Sequence, residues 1–406
     1  MTNPNNIPQG YKMTPVGIIP EEWKVKRLGD VAQSFSGGTP KAGNAKYYDG
    51  NIPFIRSGEI HQKDTTLFLS ELGLISSSAK MVQKGDLLMA LYGANSGDTA
   101  VSQINGAINQ AILCIRPHNL LVSFLCSFLR LKKDIYIAKY LQGGQGNLSG
   151  EIVNNYMIPI PPIEEQHKIT EVLDTWDKAI EKQTQLIEKL ELRKKGLMQQ
   201  LLTGKKRLPG FGREWKNIAI KDFAIEVSLK NNRNENWEVL SCTKYDGLVP
   251  SLQYFGRQVF SKDITQYKIV PQYCFAYATN HIEEGSIGYQ SIYKNSLISP
   301  MYTVFKTDSN MIDDIFLYKL LKSHRAIYLY NVMMEGSIDR RGGLRWDNFS
   351  TIKFLLPDIK EQSAIADILV SCDNEILLAK QKLNKFRQQK KGLMQVLLTG
   401  KKRVNI

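Results

Sequence analysis

The residues that could do chemistry fall into three groups. Two Glu-Trp-Lys triplets, Glu22-Trp23-Lys24 and Glu214-Trp215-Lys216, place a carboxylate and an ammonium two positions apart. That is half of what a metal-dependent nuclease needs. No acidic partner stands at a suitable spacing, so the tryptophans are expected to be structural. The twin segments KKGLMQQLLTGKKR (Lys194 to Arg207) and KKGLMQVLLTGKKR (Lys390 to Arg403) offer clustered lysines. They are not phosphate-binding P-loops, because no G-x-x-x-x-G precedes them and Lys stands where Ser or Thr must bind magnesium. The third group is a set of loops rich in Gly, Asn, Gln, Ser, Tyr and basic residues: SGGTPKAGNAKYY, YGANSGD, LQGGQGNLSG and EGSIDRRGGLRW. Arg and Lys pair with guanine edges, Asn and Gln with adenine, and Lys and Arg neutralise phosphates.

Composition supports a polyanionic partner. The chain has 406 residues and a net charge of +14, from 53 basic and 39 acidic residues. Such an excess is the electrostatic footprint of nucleic-acid binding. The five cysteines form no C-x-x-C pair and the five histidines have no ligand spacing, so reduced thiols and no structural metal are expected. No H-E-x-x-H, G-x-S-x-G or dinucleotide-binding glycine motif occurs, and cofactor binding has no support. The longest apolar run, Leu120 to Leu129, is short and flanked by Arg116, His118 and Arg130, and the first residues hold no apolar signal core. A cytoplasmic protein without membrane contact is expected.

The elements that position these groups follow from an internal repeat. At an offset of 196, Pro161, Ile163, Glu165, Gln166, Ile169, Leu173, Asp177 and Ile180 match Pro357, Ile359, Glu361, Gln362, Ile365, Leu369, Asp373 and Ile376. The register holds through Arg207 and Arg403. At an offset of 192, EEWKVKRLGDVA (Glu21 to Ala32) matches REWKNIAIKDFA (Arg213 to Ala224). Between these echoes the halves diverge but keep an outline of short strands and one amphipathic helix, LLVSFLCSFLRLKKDIYIAKYL and DDIFLYKLLKSHRAIYLYNVM.

Each matched block reads as one long helix. Ile169, Leu173, Trp176, Ile180, Ile187, Leu190, Leu197 and Leu201 follow a heptad seam, as do Ile365, Leu369, Cys372, Ile376, Ala379, Leu383, Phe386, Leu393 and Leu397. Such a helix spans roughly 55 Å. Gly204 and Gly400 stand where C-terminal caps belong. Gly196 and Gly392 inside the run indicate a close helix approach or an early end. The pattern predicts an α+β protein: two globular α/β blocks joined by two long antiparallel coiled-coil helices with pseudo-two-fold symmetry. Val172, Leu186, Leu377 and Leu378 lie beside the seam, facing either the chain's own globular blocks or a partner's helices.

The domain openings, SGGTPK, IPIPPIEEQHKI and the twin KKGLMQ segments together resemble the specificity subunits of type I restriction-modification enzymes, over nearly the whole chain. The resemblance implies a non-catalytic DNA-binding subunit reading a bipartite asymmetric site. Two target recognition domains (residues 20–162 and 208–358), preceded by an arm (1–19), alternate with spacer helices (163–207 and 359–406). It implies two docked modification subunits carrying S-adenosylmethionine for adenine methylation, and restriction subunits using ATP and Mg, in a bacterial or archaeal cytoplasm. Chemistry rather than resemblance selects the DNA-contacting residues. They are Lys41, Lys46, Tyr47, Arg56, Asn95, Gln145 and Asn147 in the first domain, and Lys244, Tyr245, Arg257, Asn280, Arg340 and Arg341 in the second. A self-contained nuclease and a coiled-coil protein scaffold are the alternatives.

Overall fold

A computed structural model describes residues 7–140, 147–335 and 343–405. The chain divides into two compact units. The first comprises residues 1–184 together with 382–406, and the second residues 185–381. The two long helices, Ile163–Leu201 and Ile359–Leu397, are 39 residues each, and each begins in one unit and ends in the other.

The central sheets share one topology despite their divergent sequences. In the first unit the strand order is Ala32–Ser36, Ile112–Pro117, Leu87–Ala90, Thr99–Val101, all antiparallel. In the second it is Ala224–Glu226, Tyr302–Thr307, Cys274–Ala278, Ile287–Gln290, again antiparallel. Leu87–Ala90 and Cys274–Ala278 are buried throughout, as their unbroken apolar runs require. A two-stranded ribbon closes each domain onto its helix: Lys24–Arg27 pairs with Met157–Ile160, and Lys216–Ala219 with Lys353–Leu356.

The amphipathic segments differ in one respect from expectation. The first is a single helix, Val122–Tyr140, but the second breaks into Asp314–Leu321 and His324–Glu335. Ser323 sits at the break, where its hydroxyl accepts from the Ala326 amide at 3.2 Å and starts a new helix.

Both helices serve each unit's core. In the first, Ile169 and Leu173 of one helix and Leu397 and Leu398 at the end of the other pack on Trp23, Phe124 and Tyr156. In the second, Leu201, Leu202, Ile365 and Leu369 pack on Phe316, Phe349 and Phe354. Each buried leucine or isoleucine contributes about 1.5–3 kcal/mol. The heptad seam is therefore divided in use. Its ends belong to the globular cores, and residues between them pair helix with helix. Trp176 meets Phe386 edge-on at 5.7 Å in the first unit. Lys380 pairs with Glu191 at 2.7 Å in the second, and Arg193 pairs with Glu375. Within each unit the helical segments run antiparallel.

One latch occurs in both units. Trp23 Nε1 donates to Glu165 at 2.8 Å, and Arg403 grips the same carboxylate through Nε and Nη2 at 2.6 and 2.9 Å. Trp215 donates to Glu361 at 3.1 Å, and Arg207 grips it twice at 2.7 Å. Both carboxylates are fully buried. The adjacent glutamines act alike. Gln166 accepts from the Leu121 amide and donates to the Pro161 carbonyl; Gln362 accepts from Asp313 and donates to Pro357. The Glu-Trp-Lys tryptophans are thus structural, as expected.

Neither expectation for the mid-helix glycines holds. The helices run past Gly196 and Gly392, and nothing lies within 4 Å of a Cβ built at either position. Gly204 and Gly400 do end their helices, at φ +68° and +69°. A Cβ on Gly400 would also collide with the Pro20 ring.

Candidate nucleic-acid interface

Three anchored loops carry the selected residues of the first unit. Lys41, Lys46 and Tyr47 lie on one of them. Asn44 caps its short turn by accepting from the Lys46 amide at 3.3 Å. Ser70 ties down the same turn, its hydroxyl donating to Lys46 C=O at 2.6 Å and its amide to Tyr47 C=O at 3.0 Å. The backbone is fixed while the Lys41 and Lys46 side chains are exposed.

Arg56 follows the strand Ile52–Ile55. Its Nε and Nη2 donate to Glu59 at 3.1 and 2.7 Å, and Nη2 also donates to Thr66 at 2.8 Å. Glu59 is buried and takes further bonds from the Arg56 amide and the Thr65 hydroxyl. The hydrogen bond from Arg56 dominates its environment and pulls the carboxyl pKa down to about 2, against the opposing effect of burial. The guanidinium is half-exposed and held in one orientation, with Nε and Nη2 already engaged by Glu59 and Thr66.

Asn95 and Asn147 occupy loops joined at the carboxyl end of Leu87–Ala90. The Leu91 carbonyl accepts from both the Ser96 hydroxyl at 3.0 Å and the Leu148 amide at 2.9 Å. Leu148 is buried, and Asn147 beside it is exposed. A Cβ built on Gly58 would lie 3.8 Å from the Asn95 amide nitrogen, so the Arg56 loop adjoins this pair. Gln145 lies outside the described residues.

The second unit repeats the junction. The Leu344 amide donates to the Thr279 carbonyl at 2.9 Å, as Leu148 does to Leu91. Asn280 sits here, half-buried, accepting from Thr279 Oγ1 at 3.3 Å. Gly343 has φ +67°, and a Cβ there would collide with Asn280 Oδ1, so only glycine fits. Arg340 and Arg341, which precede it, lie outside the described residues. Lys244 and Tyr245 form the turn of the hairpin Leu240–Thr243 and Gly247–Pro250. Tyr245 is 80% exposed, and the Lys244 ammonium lies 5.6 Å from its ring centre. Arg257 is exposed, next to the left-handed Gly256 that ends the helix Ser251–Phe255.

Of the four apolar residues beside the seam, Val172 is taken up largely by the first unit's core. Leu186, Leu377 and Leu378 remain 45%, 55% and 63% exposed. The cysteines are free, four of them buried. Among the described residues, the grouping with metal-ligand spacing is His281, Glu283 and Glu284, in which His281 already pairs with Glu284 at 3.5 Å. No helix among the described residues is long and apolar enough to cross a membrane.

Lys322 adjoins the Lys244–Tyr245 turn, its Nζ donating to the Tyr245 carbonyl at 3.4 Å. It lies in a segment read only as core helix. A basic run was visible in each half, Arg130, Lys132 and Lys133 within the helix Val122–Tyr140 and Lys322, His324 and Arg325 at the second half's break.

A model of the type I restriction modification DNA specificity domain matches the chain twice, over residues 20–192 and 213–388. The chain belongs to the type I restriction-modification DNA specificity family. The MjaVIII specificity subunit of Methanocaldococcus jannaschii is 25% identical over 95% of this chain and 94% of its own. The EcoR124I/EcoR124II specificity subunit of Escherichia coli is 25% identical over 43% of this chain and 45% of its own. The crystal structure of the M. genitalium S subunit superposes with a TM-score of 0.56 at 12% identity, over 95% of this chain and 97% of the other. A chain from a structural study of type I complex assembly gives 0.59 at 14% identity, over 94% and 99%. The chain is thus a specificity subunit, the DNA-recognition part of a restriction-modification complex and not its catalytic part.

Proposed function

We propose that this specificity subunit reads a bipartite, asymmetric DNA site, with the target recognition domains at 20–162 and 208–358 each reading one half. The observation that supports this is the combination of one sheet topology, one latch and one loop junction with different residues at the tips. A scaffold repeated with different loops suits two half-sites of different sequence. Phosphate contacts would fix register, and Asn95, Asn147, Asn280 and the arginines would meet base edges.

Two modification subunits dock on the helices, with Leu186, Leu377 and Leu378 in the contact. They bring S-adenosylmethionine and methylate adenine, which must leave the duplex stack to react. Restriction subunits bring ATP and Mg. The assembly works in the cytoplasm of a bacterium or archaeon.

The test is methylome sequencing of cells that carry the chain with its modification subunit. The expected result is adenine methylation at a split motif, and none with the chain alone. Exchanging residues 20–162 for the equivalent domain of a relative should change one half of the motif only. Metal-dependent cleavage of DNA by the purified chain would instead support a self-contained nuclease. A complex with no affinity for DNA would support a protein scaffold.

A further inference from the structure

A cleft of about 740 Å³ opens in the second unit. One wall carries Lys194, Lys195 and Lys205 of the repeated segment, and the other Lys322, His324 and Arg325 at the helix break. Two acids reach it and both are already neutralised. Lys380 holds Glu191, while Lys194 and Lys319 share Asp373. Lys195, Lys205 and Arg325 are exposed, and none of them is ion-paired among the described residues. Lys322 connects the cleft to the Lys244–Tyr245 turn through its bond to the Tyr245 carbonyl. Burial lowers its pKa, Cys242 and Asp246 oppose that shift, and Lys319 and Lys194 add to it.

The first unit carries cations at the equivalent sequence positions, of which Lys390 pairs with Asp177 and Lys133 with Asp98. The repeat supplies Lys390, Lys391 and Lys401, and the recognition domain supplies Arg130, Lys132 and Lys133. Burial, then the charge of Lys401, lowers the pKa of Lys132, which places these two cations near each other. The stem of Lys133 packs against Gly97 in the Asn95 loop. Both basic corners therefore adjoin a loop selected for DNA contact. Arg130, Lys132 and Lys133 are replaced by Lys322, His324 and Arg325, so basic character is retained while identity is not.

We propose that the cleft of the second unit, formed by the repeated lysine segment and the basic corner behind the reading loops, binds the phosphodiester backbone of DNA, and that Lys391 and Lys401 contact the backbone in the first unit. Retained charge with changed side chains suits a ligand bound by charge. A protein partner would need matched shape as well. These cations supply affinity that is the same for every sequence, and the loops supply discrimination. This inference rests on the DNA-recognition reading above.

The experiment uses the complex of the full chain with its modification subunits. It measures binding to a labelled duplex carrying the methylated motif and to a duplex of arbitrary sequence, over a range of KCl concentrations. The triple variant K195Q/K205Q/R325Q should flatten the log–log salt dependence by about 2–3. It should weaken binding to both duplexes by the same factor and leave assembly intact. The pair K391Q/K401Q in the first unit should act alike, by about 2. An unchanged slope in both variants overturns the proposal. So does a loss confined to the motif duplex, which would mean base readout, or a loss of assembly without a change of slope, which would mean an acidic protein surface. A wild-type complex that binds no duplex overturns the DNA reading itself. A wild-type complex that binds while the variants keep its slope overturns the cleft alone.

Discussion

Arg403 closes on Glu165, 238 residues earlier in the chain, with two hydrogen bonds to a carboxylate that Trp23 also holds. The second unit repeats this with Arg207, Glu361 and Trp215. The latch accounts for the near-identity of the two KKGLMQ segments at their Arg ends. Each Arg meets the same Glu-Trp pair, so neither copy can drift.

Arg403→Ala should destabilise the first unit by about 3 kcal/mol, because a buried carboxylate loses its cation. Arg207→Ala should do the same to the second. Hydrogen exchange resolved by segment checks this. Loss of protection should stay within the affected unit, at its sheet and at the helix start carrying the glutamate.

Glu59 gives the first unit a sensitivity to acid. Its pKa is depressed in the folded state to about 2, from an ordinary value of 4.5, chiefly by Arg56. A depressed carboxylate stabilises the fold above its unfolded pKa, and the contribution is lost as pH falls through the folded one. Stability of the first unit should therefore decline between about pH 4.5 and pH 2. Glu59→Gln should remove that part of the decline while lowering stability at pH 7. Urea unfolding at a series of pH values measures both.

The helix glycines separate two kinds of position. Gly196→Ala adds a methyl group to open space in a helix interior and should stabilise by about 0.5–1 kcal/mol. Gly400→Ala should destabilise, because its backbone is left-handed and Pro20 occupies the space. Thermal unfolding of the two variants should shift in opposite directions.

Asn280→Ala and Asn95→Ala should each relax discrimination at one half-site only, by about 1–3 kcal/mol per base pair if bidentate to adenine. Methylation of sites with single mismatches, sequenced for each variant, checks this. Leu377→Asp with Leu378→Asp should weaken docking of a modification subunit about tenfold or more while leaving unfolding unchanged. Size-exclusion chromatography of the mixed subunits reads that directly.

The long helices and their caps were legible because periodicity and left-handed glycine are local properties. The strands around Leu87–Ala90 and Cys274–Ala278 were legible for the same reason. The latch was not. Glu165, Gln166 and the GKKR arginines were visible as repeated letters, but their meeting depends on tertiary closure across most of the chain. The loop junction at Leu91 and Leu148 was hidden likewise, since it pairs backbone groups and leaves no side-chain signature. Asn95 and Asn147 were chosen separately for their chemistry, and the fold brings their loops together. The break at Ser323 was missed because the apolar period continues across it.

The division of the chain into units also has a consequence for how the protein is made. The second unit is one continuous stretch, residues 185–381, whereas the first needs residues 382–406 as well. During synthesis the later domain has all its parts before the earlier one does. The Glu165 carboxylate, held by Trp23, gains its arginine only once Arg403 has been made. Residues 382–406 complete the unit that is begun first.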